Sequence, residues 1–168
     1  MSFLELAKSR YSVRKYEGRP VEPEKLEALL EAAKLAPTGC DNQPLHIYVL
    51  QSPEARAKAA KCTRCTFGAP LVFLICYDTN TSWKREYDGY RCGEFDASIV
   101  VTHLALEATD LGLGTCIVAW FDPAETRQQF ALPDNLVPLA FLPCGYPAAE
   151  PAPRHFERKA VSEFTTIL

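Results

Sequence analysis

The sequence is notable first for what it does not contain. No stretch of its 168 residues has the length and apolarity of a membrane-spanning helix, which needs about 20 apolar residues. Positive charge is not in excess: 18 Lys and Arg stand against 21 Asp and Glu, a net charge of −3, which argues against nucleic acid as a general partner. A glycine-rich dinucleotide fingerprint is also missing. Gly112-Leu113-Gly114 lacks the third glycine and the strand that should precede it. There is no internal repeat and no low-complexity segment. The N-terminal Met1-Ser2-Phe3-Leu4-Glu5 carries charge early and has no signal-peptide pattern. The seven cysteines are an odd number, which does not suit a disulfide framework. The expectation is a single domain over residues 1–168 with reduced thiols in a cytoplasm.

What the chain does contain is concentrated at Arg10-Tyr11-Ser12-Val13-Arg14. Two guanidinium groups and a hydroxyl fall within five residues. Guanidinium forks bind oxyanions through paired, charge-assisted hydrogen bonds, and a hydroxyl between them can donate to a third oxygen. That is enough for one phosphate monoester, with each Arg bond contributing roughly 1.5–3 kcal/mol net.

Local signals divide the rest of the chain. Ser2 with Glu5 is a capping box for a helix ending near Ser9. Pro23 opens a second helix, with Leu26, Leu29, Leu30 and Ala33 at helical spacing, that stops before Pro37. After the polar loop Thr38–Pro44, His46–Leu50 reads as a strand, and Ser52-Pro53 caps a helix to about Lys61. Leu71–Tyr77 is a nearly continuous apolar run, as in a buried central strand. Thr79–Gly93 reads as a loop or mobile helix over a site. The longest helix spans about Glu94–Leu111 and stops at Gly112. Glu94 and Asp96 are first-turn acids that favour its dipole. Thr115–Ala119 predicts a short strand, Asp122–Phe130 a capped helix, and Val137–Cys144 a last core strand. Ala148–Arg158 predicts an extended arm, and Val161–Leu168 turns apolar and β-prone. Such an end must be buried on a second subunit or on its own sheet edge.

Several landmarks now stand in order: Arg10-x-Ser12-x-Arg14, Leu35-Ala36-Pro37-Thr38, Asn42-Gln43-Pro44, Phe67-Gly68-Ala69-Pro70, Gly112-Leu113-Gly114-Thr115-Cys116, Leu142-Pro143-Cys144-Gly145-Tyr146-Pro147 and Arg158-Lys159. No one of them is decisive. In this order and spacing, over essentially the whole chain, they resemble the FMN-dependent nitroreductase family, in particular its short clostridial-type branch. The resemblance implies an α+β fold, with a mixed, mainly antiparallel sheet flanked by helices, and an intertwined homodimer with C-terminal arm exchange. It implies FMN at the dimer interface, NADH or NADPH as a transient electron donor, and ping-pong hydride transfer through flavin N5 to nitroaromatic, quinone or flavin-type acceptors. Carried onto this sequence, Arg10, Ser12 and Arg14 hold the FMN phosphate, with Arg158 and Lys159 from the arm. Tyr11 lies near the ribityl and isoalloxazine, Thr38, Asn42 and Gln43 approach the flavin from the other subunit, and the amides near Ala119 and Trp120 face N5. The sequence departs from the family at Asp41-Asn42-Gln43-Pro44 and at Leu45, where a Trp is frequent.

Other readings compete. The cofactor could serve a carrier or sensor with little turnover, or a specialised reductive dehalogenase. Cys62-Thr63-Arg64-Cys65 is a CxxC that invites a thiol or metal function, but it lacks the strand-to-helix context of a redox motif and further ligands at a recognised spacing.

Overall fold

The computed structural model describes residues 2–168. Its elements begin where the capping signals put them. Helix α1, Phe3–Ser9, is closed by a reciprocal box: the Ser2 hydroxyl accepts from the Glu5 amide at 3.3 Å and the Glu5 carboxylate accepts from the Ser2 amide at 2.7 Å. Helix α2 is Pro23–Lys34, followed by strand β1, Leu45–Leu50, and helix α3, Pro53–Cys62, which is capped by Ser52. Strand β2 is Leu71–Asp78, and helix α4, Gly93–Asp110, is the longest. Strand β3, Gly114–Thr115, helix α5, Pro123–Phe130, and strand β4, Leu136–Gly145, complete the core.

The four strands lie in the order β1-β2-β4-β3, each neighbour antiparallel. One parallel bridge joins Ser12 to Thr115, with the Val13 amide donating to the Thr115 carbonyl at 2.9 Å. It ties the Arg10–Arg14 segment to the sheet, whose own strands are antiparallel throughout rather than mixed.

Strand β2 is apolar throughout because both faces of the sheet are covered. Leu71, Phe73 and Ile75 point to one face, where α2 and α4 contribute Leu29, Val100, Leu104 and Ala108. Val72, Leu74 and Cys76 point to the other, against Leu50, Ala59, Cys62 and Phe141. The result is a helix–sheet–helix sandwich with a core on each side of the sheet.

Two expectations change, and a third is decided between its alternatives. The strand expected over 115–119 is interrupted: β3 stops at Thr115 and pairing resumes at Val118 opposite Phe141. Pro143 lies in β4 opposite Cys116. It accepts from the Cys116 amide at 3.3 Å but has no N–H to return, so half of that pair is lost. Of the two alternatives for Thr79–Gly93 the loop holds: residues 79–92 form a series of turns pinned by a Lys84–Arg91 bridge and an Arg85–Asp88 ion pair, and Gly93 already opens α4. The tail after the turn at Val161–Glu163 is no strand, because it meets no sheet edge of its own protomer to take its backbone hydrogen bonds. Its apolar side chains stay exposed, Phe164 at 66% and Ile167 at 98%. No helix among the described residues is long and apolar enough to cross a membrane.

Candidate functional site

The Arg10–Arg14 segment meets the C-terminal arm. The arm leaves β4 alongside residues 15–17: the Glu17 amide donates to the Tyr146 carbonyl and the Ala148 amide to the Lys15 carbonyl, both at 2.9 Å. The Tyr11 hydroxyl then donates to the Ala149 carbonyl at 2.8 Å. Tyr16, half-buried beneath, donates to the Val13 and Pro143 carbonyls at 2.9 and 3.1 Å. Burial pushes its phenol well above the usual range, so it stays a neutral donor. These bonds steer the short helical turn Pro153–Phe156 over the Arg10–Arg14 segment.

Between them opens a cleft of about 220 Å³, lined by Arg10, Ser12, Arg14, Arg154, His155 and Arg158, with Tyr11 and Ala152. Three of the predicted side chains thus share one space with predicted Arg158 and Tyr11. Lys159 is not among the lining residues. Arg154 and His155 were not assigned to the site from sequence. The available signal was Arg154-x-x-x-Arg158, two guanidiniums on an arm that had to return somewhere. The His155 ring bonds to the Lys8 carbonyl at 3.1 Å and meets an Arg158 guanidinium nitrogen at 3.4 Å. No carboxylate lines this cleft, and none of the ion pairs among the described residues uses its four arginines. Four cations without a counter-ion make a strong anion site.

The other predicted residues lie elsewhere in the protomer. Thr38 and Gln43 line a separate cleft of about 280 Å³ with Leu30, Ala36, Leu45 and Ile47. The Thr38 hydroxyl accepts from the Gln43 amide at 3.0 Å, and the Asn42 side-chain amide donates to the Thr81 carbonyl at 3.1 Å. The clefts share no lining residue, so one chain does not bring the Thr38–Gln43 loop to the arginines. Ala119 borders a third cleft with Ser98, Thr102, Ile117 and Leu139. Ala119 and Trp120 are exposed, and neither backbone N–H has a partner among the described residues. The Trp120 carbonyl accepts from Thr63 Oγ1 at 2.7 Å, and its ring carries the Arg64 guanidinium 4.3 Å from its centre.

The CxxC offers little chemistry. Cys62 is buried at the end of α3, its Sγ bonded to the Lys58 carbonyl, and burial raises its thiol above the usual value, which disfavours the reactive thiolate. No group of three or more His, Cys, Asp or Glu among the described residues is placed to hold a metal.

The family model described as the Nitroreductase family matches residues 7–67 and 61–146. The chain belongs to the nitroreductase family. A nitroreductase family protein of Clostridium difficile 630 has the same fold, with a TM-score of 0.94 and 43% identity over 99% of this chain and 98% of that one. A Methanothermobacter thermautotrophicus protein, whose name provisionally gives it as an NADH dehydrogenase/NAD(P)H nitroreductase, is 31% identical over 92% of this chain and 82% of its own length. The FMN reductase [NAD(P)H] of Bacillus subtilis is 27% identical over 94% of this chain and 71% of its own.

Proposed function

We propose that this protein is an FMN-dependent NAD(P)H oxidoreductase acting as a homodimer of the single domain of residues 1–168. The observation that carries the reading is the convergence of Arg10, Ser12, Arg14, Arg154 and Arg158 on one cleft free of carboxylates. That donor set fits a phosphate monoester: guanidinium forks for two oxygens and a hydroxyl for a third. When bound, FMN supplies hydride acceptance and donation at N5.

The protein's part is binding, orientation and electrostatics. Arg10, Arg14 and Arg158 would fix the phosphate, with Arg154 completing the positive wall and the His155 ring beside it. The free N–H groups of Ala119 and Trp120 are donors of the kind that an N5 edge accepts. Thr38 and Gln43, with the Asn42 carbonyl, offer the mixed donors and acceptors that a pyrimidine edge needs. Since they lie apart from the arginines in one protomer, they would serve the site of a second copy. The exposed apolar tail supports the same dimer, because Phe164, Ile167 and Leu168 need a surface that their own chain does not provide. Donor and acceptor would then share one flat slot in turn, a ping-pong sequence suited to nitroaromatics, quinones or flavins. The free cysteines suit a reducing compartment such as the cytoplasm.

The test is a visible spectrum of the purified protein reconstituted with FMN, before and after NADH or NADPH under argon. The expected result is stoichiometric FMN whose colour is bleached by one of the two and restored by a quinone or nitroaromatic. Protein that takes up no FMN refutes the reading. Bound FMN that neither donor bleaches would mark a carrier instead.

A further inference from the structure

Asp96 is a buried acid that the reading above does not use. Its place in the first turn of α4 resembles that of a solvated, dipole-facing acid, yet only 1% of its surface is exposed. One carboxylate oxygen, Oδ1, accepts from the Gly39 amide at 2.9 Å. The other, Oδ2, is buried and has no hydrogen-bond partner among the described residues. A carboxylate with an unsatisfied oxygen is a poor way to fill a core, since an apolar side chain of similar size removes that desolvation penalty. Its contribution must be sought in what Oδ1 holds.

Gly39 opens the turn Gly39–Asp41 within the Thr38–Gln43 loop. It is pressed against the protein: a Cβ at Gly39 would stand 3.1 Å from the Trp83 Cβ and 3.7 Å from Asp96 Oδ1. Beyond it, Cys40, Asp41 and Gln43 all take positive φ, at 52°, 54° and 49°. That region is unfavourable for side chains other than glycine, and three such residues in four persist only if the surroundings over-determine the loop. Within the loop, the Gln43 amide bonds to Thr38 and the Asn42 amide to the Gly39 carbonyl. The Leu45 amide of β1 donates to the Gln43 carbonyl at 2.8 Å, and among the described residues two side-chain bonds tie the loop to more distant parts of the protein, Asn42 to the Thr81 carbonyl and Gly39 to Asp96. Only the second engages a buried side chain on a long helix.

We propose that Asp96 is the positioning residue of the flavin-facing loop, acting through the Gly39 amide to preset Thr38, Asn42 and Gln43. The proposal rests on the assignment of that loop to the isoalloxazine. A loop that meets the ring and not the phosphate should matter equally for FMN and for riboflavin, which has no phosphate. The arginine cleft should matter for FMN alone.

The experiment titrates both flavins into wild-type protein, Asp96→Leu, Asp96→Asn and Arg10→Ala, following quenching of flavin fluorescence. Asp96→Leu is expected to weaken both flavins by a similar factor, about tenfold, the scale of one lost buried hydrogen bond. Asp96→Asn, which keeps an acceptor for Gly39, should restore both to within about twofold. The melting temperature of apo Asp96→Leu should match or exceed that of the wild type, an outcome that a purely structural acid would not give. If Asp96→Leu does not fold, Asp96→Ser, too short to reach Gly39, takes its place. Wild-type riboflavin affinity in the folded variant overturns the proposal, as does a loss confined to FMN. Wild-type protein that binds neither flavin overturns the flavin assignment itself, a result separable from the first two.

Discussion

Removing Arg10 is the sharpest probe of the anion cleft. Its side chain is half-buried, whereas Arg14, Arg154 and Arg158 are more exposed, so it is the least replaceable by water. A hydrogen bond to a charged partner contributes about 1.5–3 kcal/mol, and each 1.4 kcal/mol is about tenfold in affinity. Full loss of one such pair would therefore weaken FMN binding roughly 10- to 150-fold. Three guanidiniums remain around the phosphate site in Arg10→Ala, and the cleft is open to solvent. The loss should accordingly fall near the lower end, about 2 kcal/mol or roughly 30-fold. Riboflavin affinity should not change, and turnover at saturating FMN should stay within about twofold, since the residue binds the cofactor and does not touch the reacting atoms. The assay is fluorescence titration of apo-protein with FMN and riboflavin at two salt concentrations; wild-type FMN binding should weaken more steeply with salt than that of the variant. Unchanged FMN affinity in Arg10→Ala, or an equal loss for riboflavin, would refute the phosphate assignment.

Further outcomes follow from packing, charge and assembly. Gly114→Ala drives a Cβ into Val13, which lies behind the anion cleft, and should cost about 2 kcal/mol, lowering the melting temperature by roughly 4–8 °C. Asp88, hydrogen-bonded by the Arg85 side chain, titrates below its ordinary value, at about 2, so its contribution to stability is complete above the ordinary carboxylate range and fades as the pH falls through 2. Asp88→Asn should therefore flatten the acid limb of a melting-temperature-against-pH curve between about pH 4 and 2, and an unchanged limb would refute the pairing. Deleting residues 161–168 removes the exposed Phe164, Ile167 and Leu168 and should shift the protein from the proposed dimer toward a single protomer in light scattering. A tail-less protein that remains a tight dimer would show that the tail is not part of that interface.

Much of this architecture was legible because the signals were local. Ser2 with Glu5, Ser52 with Pro53 and Asp122 with Pro123 each place a helix start that depends on residues within one turn. The apolar run at 71–77 suited a strand covered on both faces, and the two core clusters cover it. The failures were non-local. The break in the 115–119 strand depends on Pro143 across the ladder, 27 residues away in sequence but directly opposite Cys116. The tail's β-prone composition could not form a strand without a neighbour.

The same division runs through the site. Residue type and order alone pointed to an anion at Arg10, Ser12 and Arg14, because guanidinium and hydroxyl chemistry belongs to the side chains and their spacing is short. Tertiary structure decided that Arg154 lines the same cleft as the expected Arg158, and that Lys159 does not. Tyr11 reaches across 138 positions to Ala149, and the arm this bond holds delivers Arg154, His155 and Arg158 to the cleft. It also decided that Asp96, outwardly one more first-turn acid, is sealed beneath Gly39 with a single bond. Burial and convergence are properties of the closed chain: they depend on which distant segments exclude water together, and no local pattern of residues records that.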